Sequence, residues 1–182
     1  AERELAAIGA RALIVGPAGR SAFTGIDRSN TPALEYVIGT AGAGIGESVA
    51  FDQLLEADPA PIVEREADDL AVLMFTSGTA GSPKAAMLTH GNLLANLEQV
   101  RNSPGQFQEA GDISFGVIPL FHIFRLNVVL GGAVYTGSTV LLIERFDPSS
   151  AIEAIQRHGV TLVSGPPTMW GAPAAQPDAS PA

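Results

Sequence analysis

The 182-residue chain contains no cysteine, which excludes disulfides, thiolate metal sites and a cysteine nucleophile. Basic residues are scarce: ten Lys and Arg stand against 19 Asp and Glu, for a formal charge of −9. No basic surplus exists to neutralise phosphates, so nucleic acid is not expected as a partner. Long uninterrupted apolar runs are missing as well. The longest stretch, residues 116–135, is broken by Pro119, His122, Arg125 and Asn127, which argues against a membrane span. The opening residues, AERELAAIGA, lack the apolar core of a signal peptide. No initiator methionine precedes them, and the chain reads as an internal slice of a longer protein. Its composition suits the cytoplasm.

What is present points to a packed globular body, since 46% of residues are hydrophobic and 16% are charged. Helix and strand signals alternate, which predicts an α/β fold with a mostly parallel sheet flanked by helices. Helices are expected at 2–8, stopped by Gly9, at 51–57, and after Thr89 as cap. In the last of these, Leu93, Leu94, Leu97 and Val100 recur on one face. Strands are expected at 12–15, 34–38, 70–75, 85–88, 113–118, 139–143 and 160–163. Residues 120–130 are apolar nearly all round, the mark of a buried helix. Another helix runs from an Asp147 cap through Pro148 to a stop at His158-Gly159. The tail from Gly171 is rich in Ala and Pro and is expected to be disordered. The glycines at 42, 44 and 46 fall one residue short of the G-x-G-x-x-G spacing and predict only a surface loop.

The segment FTSGTAGSPK, residues 75–84, carries the chemistry. It holds four hydroxyls (Thr76, Ser77, Thr79 and Ser82), two glycines and Lys84. Glycines let successive backbone N–H groups converge on one anion, hydroxyls add donors, and a lysine supplies a mobile positive charge. The spacing is not that of a Walker A loop, because Gly81 lies three residues before Lys84 and Ala85 follows it. An α/β hydrolase of the Walker type is therefore set aside. On composition alone, an exposed turn with a solvated lysine accounts for the segment equally well.

FTSGTAGSPKAAMLTHGNL resembles the phosphate-loop signature of the adenylate-forming (acyl-activating) enzyme superfamily, which includes acyl-CoA synthetases and luciferases. Two further blocks agree with it. Ile118-Pro119-Leu120-Phe121-His122-Ile123-Phe124 resembles the family's Pro-Leu-Phe-His segment, and residues 160–169 resemble its "VT…PP" stretch. The matching region runs from about residue 70 to 170. Three positions depart from the pattern: Ala80, Ala85 and, where glycine is usual, Arg125.

The resemblance implies a fold, a reaction and a set of roles. Residues 1–170 are expected to form part of the large N-terminal domain, with 171–182 as tail and the C-terminal domain absent. Thr76, Ser77, Gly78, Thr79, Gly81 and Lys84 are expected to embrace the β- and γ-phosphates of ATP. Lys84 and His122 are expected to be catalytic, with His122 near the carboxylate and gating the acyl pocket. Magnesium is expected to arrive with ATP, close to Thr76, and coenzyme A to act as acceptor. No acid lies between 113 and 135 to pair with a substrate ammonium, so a plain carboxylic acid is expected. The apolar helix from Leu120 favours a fatty acid of medium or long chain. An aryl-acid CoA ligase fragment and a non-enzymatic remnant with residual phosphate binding remain alternatives. The family's aromatic-Gly-x-Thr-Glu motif is missing, since the sequence has no Thr-Glu pair. These residues alone are therefore expected to be inactive, and to need partner strands or self-association to cover their sheet edges.

Overall fold

The computed structural model describes residues 1–76, 84–105, 107–117, 119–143 and 146–165. They divide into two compact units: Ala1–Glu64 with Phe75–Ala85, and Arg65–Met74 with Ala86–Ala182. The tail at 171–182 lies outside the described residues.

In the first unit, α1 (Glu2–Ile8) ends where Gly9 adopts a left-handed φ of 59°. A side chain at that φ is strained, so glycine is the natural stop. The strands β1 (Ala12–Val15), β2 (Tyr36–Gly39) and β3 (Val49–Ala50) pair in parallel in that order. Val15, Leu34 and Val37 form the core, with Leu5, Leu13, Phe23 and Ile45 packed against it. Two short helices complete the unit, α2 (Arg20–Thr24) and α3 (Phe51–Leu55). The glycine-rich segment after β2 is a loop, in agreement with its off-register spacing.

Two strands, β4 (Leu70–Thr76) and β5 (Lys84–Thr89), pair with each other. Asp69 accepts from the His90 N–H at one end, while Thr76 meets Lys84 at the other. That register makes the pair antiparallel, a local exception in an otherwise parallel α/β chain.

The second unit continues with α4 (His90–Asn102). The Thr89 hydroxyl accepts from the Asn92 N–H, and Asn92 Oδ1 accepts from the Thr89 N–H. This reciprocal cap fixes where the helix starts. Leu97 is buried and Leu93 and Val100 half-buried, but Leu94 is 52% exposed and leaves the expected face. Three strands follow: β6 (Ile113–Gly116), β7 (Thr139–Leu142) and β8 (Leu162–Val163). They form a parallel sheet in the order β7-β6-β8, with Phe115 fully buried on the central strand. A π-helix over Phe124–Gly131, continued by α5 (Gly132–Thr136), makes the crossover from β6 to β7. From β7 the chain returns through α6 (Pro148–His158), capped by Asp147 and closed by Gly159 at φ 61°. No helix among the described residues is long and apolar enough to cross a membrane.

Candidate functional site

The phosphate-loop segment begins where β4 ends. Thr76 is the last residue of β4, Lys84 the first of β5, and both are exposed. The Thr76 hydroxyl donates to the Lys84 carbonyl at 3.4 Å, so the end of β4 and the start of β5 are tied together. Ser77, Gly78, Thr79 and Gly81 lie outside the described residues. The strand after Lys84 agrees with the sequence expectation, and it leaves no helix N-terminus there to hold an anion. Ammonium and hydroxyl donors suit phosphate oxygens. No group of three His, Cys, Asp or Glu able to hold a metal occurs among the described residues.

His122 belongs to the second unit, in the turn that starts the π-helix. Its N–H donates to the Pro119 carbonyl at 3.0 Å, and its own carbonyl accepts from Arg125 and Leu126. The ring rests against Phe121, with centroids 4.8 Å apart, and faces solvent. The His122 side chain is thus exposed rather than part of the core. Between α4 and the π-helix opens a cleft of about 440 Å³. Its walls are mostly apolar, from Leu88, Leu93, Val100, Ile123, Phe124 and Val128.

The π-helix is held on two sides, which explains an apolar sequence all round it. Toward α4, buried Asn127 donates to the Leu93 carbonyl at 3.1 Å and to Asn96 Oδ1 at 3.0 Å. Toward the sheet, buried Gln108 donates to the carbonyls of Val128 and Val129 at 2.7 and 2.9 Å. Its Oε1 accepts from the hydroxyls of Ser114 and Ser138, so both ends of the amide are satisfied.

Arg125 is the anomaly. It is 2% exposed, and neither Nε nor Nη1 has a hydrogen-bond partner among the described residues. Burial pushes its guanidinium below its ordinary pKa. The side chain lies over Gly116, the last residue of β6. A Cβ there would stand 2.0 Å from Nη2 and 2.9 Å from the Leu141 carbonyl, so only glycine leaves room. The opposite, amino-terminal end of the sheet opens on a larger hollow of about 800 Å³, lined by polar residues that include Asp112 and Thr161. Ligands of parallel sheets bind at the carboxyl ends, so the hollow is not the candidate site.

A model of AMP-binding enzymes matches residues 3–181. The chain belongs to the AMP-binding enzyme family. A long-chain-fatty-acid–CoA ligase of Bacillus subtilis (strain 168) is 37% identical over 102 residues, 56% of this chain and 18% of that protein. A feruloyl-CoA synthase of an Amycolatopsis species is 37% identical over 149 residues, 81% of this chain and 30% of that one. ATP-bound MatB from Rhodopseudomonas palustris shares the fold with a TM-score of 0.74 at 25% identity, over 97% of this chain and 34% of that one. This AMP-binding enzyme chain therefore spans a minor part of the length of each relative. The family blocks draw the eye to Thr76, Lys84 and His122. They do not single out Gln108, Gly116 or Asn127, whose roles arise from contacts between elements distant in sequence. For Asn127 a signal exists, because a lone amide in an apolar run must find partners.

Proposed function

We propose that these residues belong to an acid–thiol ligase that activates a carboxylic acid with ATP and passes the acyl group to coenzyme A. A carboxylate oxygen attacks the α-phosphorus, the bond to the bridging oxygen breaks, and pyrophosphate leaves. The thiolate of coenzyme A then attacks the acyl carbon of the mixed anhydride, and AMP departs with the bonding pair. Neither step needs a covalent bond to the protein. Its work is to hold anions together and to offset charge at the reacting phosphorus.

The observation that carries this reading is the family match over residues 3–181, which includes the phosphate-loop and Pro-Leu-Phe-His blocks together. The two relatives' own names, a fatty-acid–CoA ligase and a feruloyl-CoA synthase, support the reaction type. Thr76, Ser77, Gly78, Thr79, Gly81 and Lys84 serve the β- and γ-phosphates, and the bound nucleotide named for MatB supports ATP as the donor. Magnesium would be held by the phosphates with Thr76 as the protein's donor, and would supply positive charge to offset theirs. His122, solvent-facing at the mouth of the π-helix, attends the reacting carboxylate and gates the acid's entry. The apolar cleft between α4 and the π-helix suits a fatty acyl chain. An aryl acid is the second reading, favoured by the feruloyl relative's longer match, 81% of this chain. Residues 1–170 form part of an N-terminal domain, and the remaining machinery comes from further sequence.

The test is ATP–pyrophosphate exchange in the complete gene product, with dodecanoate and ferulate as alternative acids. Exchange with either acid is the expected result, and its absence with every carboxylic acid overturns the ligase. Lys84→Ala should lower exchange on the order of 100-fold, the usual effect of removing one charged donor from a reacting site. Its melting temperature should stay within a degree or two of the parent. Unchanged exchange removes Lys84 from the mechanism.

A further inference from the structure

Arg125 has no role in the reaction described above, yet its placement is costly. A guanidinium taken out of water forfeits hydration, so a buried one with open nitrogens calls for an explanation. Two of its three nitrogens lack a hydrogen bond among the described residues. Its surroundings supply a reason. β6 ends at Gly116, and residues 119–124, His122 among them, are all exposed. Leu120, Phe121, Ile123 and Phe124 turn apolar side chains to solvent, so burial of its neighbours does not hold the His122 turn in place. Beyond Gly116, Arg125 is the first described residue that is buried. Its guanidinium reaches back over the bare backbone of Gly116, where a Cβ would overlap Nη2 and stand 2.8 Å from Cζ. Its main-chain N–H, like that of Leu126, donates to the His122 carbonyl at 3.0 Å. One residue therefore meets the carboxyl end of β6 through its side chain and the His122 turn through its backbone.

We propose that Arg125 is a positioning residue, a wedge seated on Gly116 that fixes the His122 turn against the sheet and so places the His122 ring for the acid. The proposal rests on the ligase reading, in which His122 attends the reacting carboxylate. Arg125 acts by shape. Arginine packs through its long stem as well as through its charge, and a group with open nitrogens draws little from charge. The glycine at 116 belongs to the same device, because any larger residue there would push the wedge off its seat. The ring of His122 is itself free of the core, so its direction depends on how firmly its own turn is held.

The experiment follows ATP–pyrophosphate exchange by the complete gene product, with dodecanoate or ferulate as the acid, in a double-mutant cycle on Arg125 and His122. Arg125→Ala empties the seat. It should lower kcat/KM for the acid about 100-fold, the scale of a reacting geometry displaced by about 1 Å, with the KM for ATP unchanged. Arg125→Met, of similar length and uncharged, fills the same seat and should keep most of the wild-type rate. It should also melt at or above the wild type, since a desolvated charge has been removed. In a His122→Ala background, Arg125→Ala should cost little more, because a residue that acts through another has nothing left to place. Should the Ala variant not fold, Arg125→Leu, which packs but is several atoms too short to reach Gly116, takes its place in the cycle. Four results overturn the proposal while the ligase reading stands. One is unchanged exchange in the emptied variant. Another is a loss in Arg125→Met as large as in Arg125→Ala, which would make charge the agent. The third is a full multiplication of the two losses in the double variant. The fourth is a KM for ATP that rises in step with the loss for the acid. If His122→Ala exchanges like the wild type, the roles of His122 and Arg125 fall together. If no carboxylic acid supports exchange, the ligase itself is refuted, and the proposal with it.

Discussion

Asp112 shows how single side chains tie the second unit together. Its Oδ2 accepts from the Glu109 N–H and its Oδ1 from the Thr161 hydroxyl, each at 2.7 Å, while Thr161 Oγ1 accepts from the Ile113 N–H. The start of β6 is thereby joined to the residue before β8. The Glu109 N–H first, and the Thr161 hydroxyl second, hold the Asp112 carboxyl below the usual carboxylate range. A carboxyl depressed on folding contributes stability that is complete above its unfolded pKa, near 4, and is lost as pH falls through the folded value. Asp112→Asn should therefore lose less stability than the wild type between about pH 5 and pH 3, read as the shift in urea midpoint. Equal losses would mean that this carboxyl has no part in acid sensitivity. At this scale the sequence was legible where chemistry is local. Asp147 and Thr89 announce their caps by neighbours within three residues. The seat of Arg125 on Gly116 was not legible, because Arg125 stands nine positions further on, in the next element, and only the packing of the π-helix on β6 brings them together.

Among the elements, the π-helix departs furthest from expectation. The apolar run 120–130 predicts a buried helix, but the helix begins at Phe124, while Leu120, Phe121, Ile123 and Phe124 are exposed and its carbonyls find partners outside it. Gln108 takes two of its carbonyls, and Asn127 bonds α4 from within it. Truncating Gln108 to Ala leaves the Ser114 and Ser138 hydroxyls and two carbonyls without that partner. The expected cost is about 3 kcal/mol, from unsatisfied buried groups at roughly 1–3 kcal/mol each with partial relief by water. Urea unfolding followed by circular dichroism measures it, and a loss under 0.5 kcal/mol would show that other groups or water replace the amide. The strands were read within a few residues, since a period of two, or a short apolar run bounded by Gly or Pro, is a strong local signal. What could not be read was that β4 and β5 pair antiparallel. Pairing direction depends on which strand ends meet, here Thr76 with Lys84 and Asp69 with His90.

Over the whole molecule, apolar surface is the leading trait. Ile62 is 93% exposed, Val134 80%, Phe121 70% and Met87 69%. Surfaces of this kind are covered in a stable protein by further chain or by a partner. The 182-residue chain on its own should accordingly associate as its concentration rises over a roughly hundredfold range, with sedimentation velocity as the readout. A single monomeric boundary throughout would show that these faces tolerate water. The α/β class was legible from the alternation of helix and strand signals, and the family from short blocks of fixed residue order. The division into two units was not, because it reflects contact density rather than any break in composition.

The winding of residues 124–131 also bears on how the chain can change over generations. Each π closure takes in one residue more than an α closure, and one residue corresponds to about 100° of rotation about the axis. Losing a single residue there would leave every downstream side chain chemically intact yet swing α5 about a quarter-turn. Gly132, whose missing Cβ makes way for the Gln108 amide, would then face elsewhere. In this segment, insertions and deletions are a stronger route to altered architecture than substitutions, and homologues that differ by one residue in length here should carry a different amide, or none, beneath the helix.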